Sequence, residues 1–189
     1  GTSIKGVLRH YCSRILQALG RSNQAVDTLF GYSIEKTNES HKGRVMVDEV
    51  YFDKSFTQEE QPRIRVDRFT GGAMNGALFQ DHPVRKGKGK ELVFRLRMTV
   101  KDCSDSEAGL VLLLVKDLMT GQITLGANRT IGYGRIKGNS VAVQYHGESY
   151  GIDGTGKVTE GESTKLEALV QALHQSTEDT MLAKEGAHE

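Results

Sequence analysis

The sequence is short of the features that define several protein classes. It has only two cysteines, Cys12 and Cys103, far apart in a chain of 189 residues, which excludes a disulfide framework and a cysteine-based zinc site. Its longest apolar run, residues 110–115, is much shorter than a membrane span. Unpaired cysteines suit a reducing compartment, so we expect a cytoplasmic protein with no membrane partner.

The common signatures of catalytic sites are also missing or incomplete. The sequence has no G-x-x-x-x-G-K-[ST] phosphate loop and no H-E-x-x-H zinc motif, and its six histidines are scattered. Residues 147–151 match the G-x-S-x-G nucleophile elbow, but an elbow requires a strand-to-helix turn and the next residues are typical of a hairpin turn. A serine hydrolase using Ser149, with Asp153 and His174 downstream, is therefore a distant alternative.

Positive charge is concentrated in the middle of the chain. The net charge is only +1, but residues 61–101 carry ten basic and three acidic side chains, whereas residues 102–189 have a balance of −6. Steering of an anion depends on local clustering of charge, so the middle third is where a polyanion would bind. The alternative is a basic face that only contacts solvent.

Local patterns predict an α+β protein. Apolar residues spaced three and four apart predict three helices, over residues 4–19, over 104–121 after the capping box Ser104–Glu107, and over 164–174. Alternating apolar residues predict strands at 45–52, 92–100 and 141–145. Residues 20–43 are expected to be a loop with a helical turn, and residues 53–90 a long irregular insertion. With one more strand before residue 1, this order gives the split βαβ, ferredoxin-like plan.

Three segments combine positive charge with exposed backbone groups. In residues 1–9, a helix start carries Lys5 and Arg9 on one face, roughly 6 Å apart. Residues 126–138 form a glycine-rich loop with basic residues and a tyrosine, where bare backbone can approach a ligand closely. Residues 63–90 hold further glycines and arginines within the insertion. Together they predict a trough for a phosphate chain, although each alone is compatible with an ordinary surface.

Four motifs resemble those of the RAMP superfamily, the repeat-associated proteins of CRISPR effector complexes. Residues 1–9, G-T-S-I-K-G-V-L-R, resemble its helix opening, and residues 29–31 resemble the L-F-G that follows. Residues 66–71, V-D-R-F-T-G, with G-A-L-F at 76–79, are similar to a segment of backbone subunits of type III complexes. Residues 125–134 resemble the family's glycine-rich loop. The motifs occur in the family's order over about residues 1–138.

The resemblance implies a modified RNA-recognition fold that holds guide RNA. Its ferredoxin-like domain would span residues 1–150, with a thumb insertion at about 53–90 and its first strand missing from this chain. A C-terminal hairpin and helix would follow at 151–175, and a polar tail at 176–189. The implied partners are guide RNA, target RNA and other RAMP subunits or domains stacked in a filament.

The resemblance also implies which residues contact RNA. By position these are Thr2, Ser3, Lys5, Gly6, Arg9, Arg68, Phe69, Thr70, Asn128, Arg129, Gly132, Tyr133, Gly134 and Arg135. The alternative function is a metal-dependent endoribonuclease whose active-site loop lies before Gly1, so no catalytic residue is assigned. We expect no cofactor, with magnesium needed only if the intact complex cleaves RNA. Asp67 and Asp81 are the metal candidates, although an acid beside Arg68 more simply forms an ion pair.

Overall fold

The computed structural model describes residues 2–34, 38–51, 56–86, 91–129 and 132–176. In that part of the chain it is an α+β protein with four helices and small antiparallel sheets, which confirms the predicted class. The chain divides into two compact units, residues 1–48 with 98–189, and residues 49–97. The polar tail predicted at the C-terminus lies, beyond residue 176, outside the described residues. No described helix is both long enough and apolar enough to cross a membrane.

Helix α1, Thr2–Ala18, confirms the first predicted helix and supplies one wall of the main core. Leu8, Cys12 and Leu16 recur every four residues and are at most 1% exposed, because side chains at this spacing share one face of a helix. The other buried members of the main core come from later parts of the chain: Ala25, Val26, Leu29, Phe30, Val45, Leu110, Leu114, Ile123 and Leu173.

The segment between residues 20 and 43 is more ordered than the sequence predicts. It contains helix α2, Gln24–Phe30, followed by strands β1, Gly31–Ile34, and β2, Glu39–Lys42, which pair antiparallel. Helix α2 is short, so it is stabilised by burial of its apolar side chains and not by its own hydrogen bonds. Leu29 and Phe30 of the L-F-G motif lie in the core.

The two predicted core strands are shorter than expected. Strand β3, Val45–Val47, pairs antiparallel with strand β8, Met98–Val100, over three residues each. Residues 92–97, which were predicted to belong to the same strand as β8, are not in a strand. Their burial still alternates, with Leu92, Phe94 and Leu96 half-buried. Alternation sets which side chains face inward, but the extent of a strand is set by its pairing partner, and here both partners end together.

Helix α3, Asp105–Met119, begins at the predicted capping box, which is confirmed. The Ser104 side chain accepts from the Glu107 backbone N–H, and the Glu107 side chain accepts from the Ser104 backbone N–H. The Glu107 carboxylate also forms an ion pair with Arg44 and is only 4% exposed. Arg44 donates in addition to the Asp102 carbonyl at 2.6 Å, so one guanidinium ties the start of β3 to the start of α3.

The C-terminal part adds a meander and a helix that pack on α3. Strands β9, Ser140–Tyr145, β10, Glu148–Asp153, and β11, Val158–Glu160, pair in the order β11-β10-β9, and helix α4 spans Ser163–Gln175. Helix α4 contacts α3 closely at Gly109, where a Cβ would lie 2.2 Å from the Leu169 carbonyl oxygen. A second core cluster forms here from Ala108, Tyr150, Leu166 and Leu169.

The geometry at Ser149 excludes the nucleophile elbow, so that alternative is wrong. Ser149 lies inside β10 and pairs with Gln144 of β9 in a hairpin, whereas an elbow requires a sharp turn from a strand into a helix. The Asp153 carboxylate accepts backbone N–H groups of Thr155 and Lys157, at 2.9 and 3.0 Å, and so holds the turn that follows β10.

The second unit contains a long two-stranded ribbon where the sequence predicted an irregular insertion. Strand β4, Phe56–Gln58, pairs with β7, Val84–Lys86, and strand β5, Gln61–Val66, pairs with β6, Ala73–Asp81. The pairs Phe56 with Lys86 and Ile64 with Leu78 share one register, so the two ladders continue each other. At about 3.3 Å per residue, residues 56–66 span roughly 30 Å. We call these four strands the ribbon, and residues 67–72 at its end the ribbon turn.

Candidate nucleic-acid interface

The start of α1 exposes a glycine that the chain itself does not require. Ser3 and Gly6 are exposed and Lys5 is half-buried, while the Thr2 side chain lies outside the described residues. A Cβ built on Gly6 would meet nothing within 4 Å, and its φ is not in the left-handed region. Glycine inside a helix costs about 1 kcal/mol relative to alanine, so neither space nor backbone conformation explains this residue.

Arg9 is engaged within the chain. Its guanidinium donates to the Asp27 carboxylate at 2.5 Å and to the Gly31 carbonyl at 2.7 Å. The two contacts join α1 to α2 and to the first residue of β1, so Arg9 fixes the packing around the L-F-G motif. Arginine has five N–H donors, and its side chain here is 40% exposed, so part of the guanidinium still faces solvent. Replacing Arg9 would therefore disturb the fold as well as any ligand contact.

The glycine-rich loop is closed at its base by backbone contacts. The Leu125 N–H donates to the Gly134 carbonyl at 2.8 Å, and Thr124 forms a bridge with Arg135. Gly134 is needed at this closure, because its φ is 74° and a Cβ would lie 1.8 Å from the Leu125 carbonyl oxygen. Thr130 and Ile131 lie outside the described residues.

Two of the amides expected to bind an anion are used inside the loop. The Gly132 N–H donates to the Arg129 carbonyl at 3.1 Å, and the Tyr133 N–H to the Asn128 carbonyl at 3.4 Å. Asn128, Arg129 and Arg135 are exposed, and Tyr133 is half-buried. The loop therefore presents guanidinium charge on a fixed backbone, and these two amides do not contribute to an anion nest.

The start of α1 and the glycine-rich loop are both anchored on the main core. Ile4 of α1 and Leu125 of the loop both pack against the main core, and Ile123, just before the loop, is fully buried in it. The Tyr11 hydroxyl donates to the Gln122 carbonyl at 3.2 Å, which links the same two elements directly. The helix start and the loop are consequently held by a common set of contacts.

The ribbon turn is organised by Asp67. Its Oδ1 accepts the backbone N–H groups of Phe69 and Thr70, at 2.8 and 2.9 Å. The Asp67 backbone also bonds across the turn, with its N–H donating to the Gly72 carbonyl and its carbonyl accepting from Gly71. The amide of Thr70, followed by that of Phe69, lowers the pKa of the Asp67 carboxyl below its usual range. Arg68 is exposed and Phe69 is 99% exposed.

The two metal candidates have other partners. Asp81 pairs with Arg63 across the ribbon, with Nε and Oδ2 2.6 Å apart. Asp67 caps the ribbon turn, and the ion pairs among the described residues do not join it to Arg68, so that prediction is wrong. Across the described ranges, no cluster of three or more histidine, cysteine, aspartate or glutamate side chains is arranged to hold a metal ion.

Sequence reasoning missed the ion pair of Arg9 with Asp27 and the hydrogen bonds by which Asp67 holds the ribbon turn. Asp27 lies 18 residues from Arg9, and only the packing of α2 on α1 brings them together. The signal for Asp67 was available, because an aspartate two and three residues before free backbone amides is the pattern of an Asx turn.

Comparison with known families identifies most of the chain. The family model of the RAMP superfamily matches residues 1–137, which is well over half of the sequence. This match confirms the resemblance that the four motifs predicted. No match to a curated protein was found.

Proposed function

Because the chain belongs to the RAMP superfamily, whose members act with RNA in CRISPR-associated complexes, we propose that it is an RNA-binding subunit or domain of a type III effector complex. It holds guide RNA by the sugar–phosphate backbone and does not select base sequence. Target RNA pairs with the guide, and other RAMP subunits or domains stack on either side in a filament. Such a complex would act in the cytoplasm.

One observation carries the proposal. The family match covers residues 1–137, so it includes the segments 1–9 and 63–90 and all but the last residue of 126–138, the three segments that charge and glycine content single out. Two of these, the helix start and the glycine-rich loop, rest on one core. The third contains the exposed Arg68 and Phe69 at the ribbon turn.

We also propose that the core is ferredoxin-like. The order α1, β3, β8, α3, with β3 and β8 antiparallel, is the central part of the split βαβ plan. Both helices contribute to the main core, as they do when two helices cover one face of a sheet. The ribbon lies between β3 and β8 in the chain, which is where the plan allows a thumb insertion.

In this proposal the protein holds RNA by electrostatic contacts to its phosphates, and one phosphate approaches the backbone closely at Gly6. Lys5 lies next to Gly6 at the start of α1, where free backbone amides also favour an anion. Arg129 presents a second, exposed charge on the glycine-rich loop. Contacts of this kind are to phosphates, so they predict affinity that is independent of sequence and falls steeply with salt.

The test compares salt dependence of RNA binding for the full chain and a charge variant. For single strands, each phosphate contact contributes about 0.7 to the slope of log affinity against log salt. Lys5→Gln with Arg129→Gln should therefore reduce the slope by about 1.4, equally for uridine-rich and adenine-rich RNA. Arg9 is left intact because it also holds α1 against Asp27.

Lys157→Gln is the matched control. Lys157 is exposed but lies after the matched residues, in the turn between β10 and β11, so its removal should leave the slope unchanged. A wild-type chain that does not bind RNA contradicts the proposal. A double variant with the wild-type slope contradicts the assignment of these two residues.

A further inference from the structure

An open cavity of about 260 Å³ lies between the β9–β10 hairpin and helix α4. On the hairpin side it is lined by Tyr145, His146, Glu148 and Tyr150. All of these residues follow the family match, which ends at residue 137, and so the cavity is separate from the segments assigned to RNA. Pockets for drug-sized ligands are roughly 300–1,000 Å³, so this space suits one side chain better than a whole cofactor.

Helix α4 supplies the opposite wall from a single face. Lys165, Ala168 and Leu169 line the cavity, and their spacing of three and four residues places them side by side on the helix. Leu169 is 9% exposed and belongs to the second core cluster, so this face of α4 is fixed by packing. Ala168 extends only a methyl group, which leaves room beside Lys165.

The Glu148 carboxylate is the negatively charged group of the cavity. Its Oε1 lies 2.6 Å from Lys165 Nζ, and its Oε2 accepts the Tyr150 hydroxyl at 2.5 Å. The hydrogen bond from Lys165, followed by that from Tyr150, lowers the pKa of this carboxyl below its usual range, so it is ionised at neutral pH. A carboxylate has about four lone-pair sites, and Glu148 is 49% exposed, so it can accept a further donor.

The hairpin wall is held in shape before any ligand enters. His146 and Gly147 have φ of 48° and 81°, the left-handed conformation of a tight two-residue hairpin turn, and Tyr145 stands directly opposite Glu148. The Tyr145 hydroxyl donates to Asp105 Oδ1 at 2.7 Å, which ties the ring to the start of α3. The rings of Tyr145 and His146 meet edge to face, with centroids 4.3 Å apart.

Aromatic rings beside a carboxylate are the chemistry that recognises an organic cation. A guanidinium group fits both features, because it is flat enough to lie on a ring and forked enough to pair with a carboxylate. The surrounding charge favours the same class of ligand, since residues 102–189 have a balance of −6. A basic protein would be attracted to this part of the chain.

We propose that this cavity is a docking site for an arginine side chain of a protein partner, whose guanidinium pairs with Glu148 and lies against Tyr145 and His146. Lys165 holds the carboxylate in the free protein and is displaced when the arginine enters. Exposed ion pairs contribute little to stability, so the exchange is easy. Glu162 lies 3.9 Å from Lys165 Nζ and stays beside the displaced ammonium group. The inference does not depend on the proposed RNA-binding function.

Peptide binding to the full chain tests the charge and shape of the ligand. The probe is a capped pentapeptide with one arginine between glycine and serine residues, and its citrulline counterpart has the same shape without the charge. Titration followed by ¹H–¹⁵N NMR of the protein gives the affinity, and ring currents should shift the arginine δ-methylene protons upfield. We expect a dissociation constant on the order of 1 mM, and about tenfold weaker binding of the citrulline peptide.

Two variants of the ion pair should change the affinity in opposite directions. Glu148→Gln removes the carboxylate charge and should weaken binding of the arginine peptide about tenfold. Lys165→Met removes the competing ammonium group, keeps an apolar side chain, and should strengthen binding about threefold. Glu167→Gln is the matched control, because Glu167 is exposed on α4 but is not among the residues that line the cavity, so the affinity should stay unchanged.

Several outcomes would overturn the inference. Failure of the wild type to bind the arginine peptide would do so, as would equal binding of the citrulline peptide or wild-type affinity in Glu148→Gln. Weaker binding by Lys165→Met would indicate an anion site, and an equal loss in Glu167→Gln would indicate unspecific attraction to an acidic surface. Spermidine that binds more tightly than the peptide, and loses its affinity in Glu148→Gln, would assign the cavity to a small polyamine instead of a protein.

Discussion

Replacing Gly6 by alanine separates the effect of this glycine on the stability of α1 from its effect on RNA binding. Inside the chain, a Cβ at this position meets nothing within 4 Å and the backbone has an ordinary helical φ. Alanine should therefore stabilise α1 by about 1 kcal/mol, which for a protein of this size raises Tm by about 2–4 °C. Thermal denaturation followed by circular dichroism measures this effect.

The same substitution should weaken RNA binding. If a phosphate approaches the bare backbone at Gly6, a methyl group will hold it away from Lys5 and from the helix N-terminus. We expect the affinity for single-stranded RNA to fall about tenfold, equivalent to about 1.4 kcal/mol. Fluorescence anisotropy at fixed salt measures it, and the combination of a more stable protein with weaker binding is the diagnostic result.

Gln17→Ala is the control within the same helix. Gln17 is exposed and lies about 16 Å from Gly6 along the axis, so its replacement should leave RNA affinity unchanged. A Gly6→Ala protein that gains stability and binds RNA normally would refute the close approach at this site. A lower Tm would refute the description of Gly6 as a residue with open space around it.

Two further predictions concern buried polar groups. Arg44→Ala leaves the Glu107 carboxylate buried without its cation, so the free energy of unfolding in urea should fall by about 3 kcal/mol. Burial raises the pKa of the Cys12 thiol to about 12, so at pH 8 it should react with a disulfide reagent only after unfolding. Since the unfolded thiol ionises near pH 9, its contribution to stability should be intact below pH 9 and decline from there to about pH 12.

Each of these predictions has a control variant. Glu107→Gln in the Arg44→Ala background removes the unpaired charge and should recover part of the lost stability. Equal stability of Arg44→Ala and wild type would contradict the role of the ion pair. For the thiol, labelling in a Cys103→Ala background measures the reactivity of Cys12 alone. Cys12→Ala should remove the part of the stability loss above pH 9 that comes from the Cys12 thiol. Rapid labelling of the folded protein would contradict the burial of Cys12.

The helices were predictable because their signals are local. The four-residue spacing of Leu8, Cys12 and Leu16 and the capping box at Ser104 are contained within single elements, so no distant contact is needed to interpret them. The strand over 141–145 was predictable for the same reason. The strands around 45 and 98 were predicted too long, because their extent depends on mutual pairing over only three residues.

The ribbon was missed because it has no buried face. Most residues of β5 and β6 are exposed on both sides, so the hydrophobic alternation that marks a half-buried strand is weak there. Hairpins of this kind are specified by turn chemistry and register, and the turn signal lay in Asp67 and the residues after it. The family motif drew attention to the same residues without revealing the hydrogen bonds.

The candidate site was predictable as a set of segments but not as a set of free groups. Lys5, Gly6 and Arg129 stand where the sequence suggested, on a helix start and a glycine-rich loop. Arg9 is paired with Asp27, and two amides of the loop donate to carbonyls of the same loop. Such contacts form only in the folded chain, so the sequence does not show which polar groups remain available to a ligand. The RNA contacts of Lys5, Gly6 and Arg129 are implied by the family and stay a prediction.

Leu173 connects the recognisable part of the chain to the part beyond it. This side chain of α4 is fully buried in the same cluster as Leu8 and Ile123, yet it lies 36 residues past the end of the family match at residue 137. A fragment cut to the matched length would therefore leave a hole in the layer that supports both the helix start and the glycine-rich loop. The family match is therefore shorter than the stretch of chain that builds the main core, and substitutions at Leu173 should disturb the packing that supports both segments expected to bind RNA.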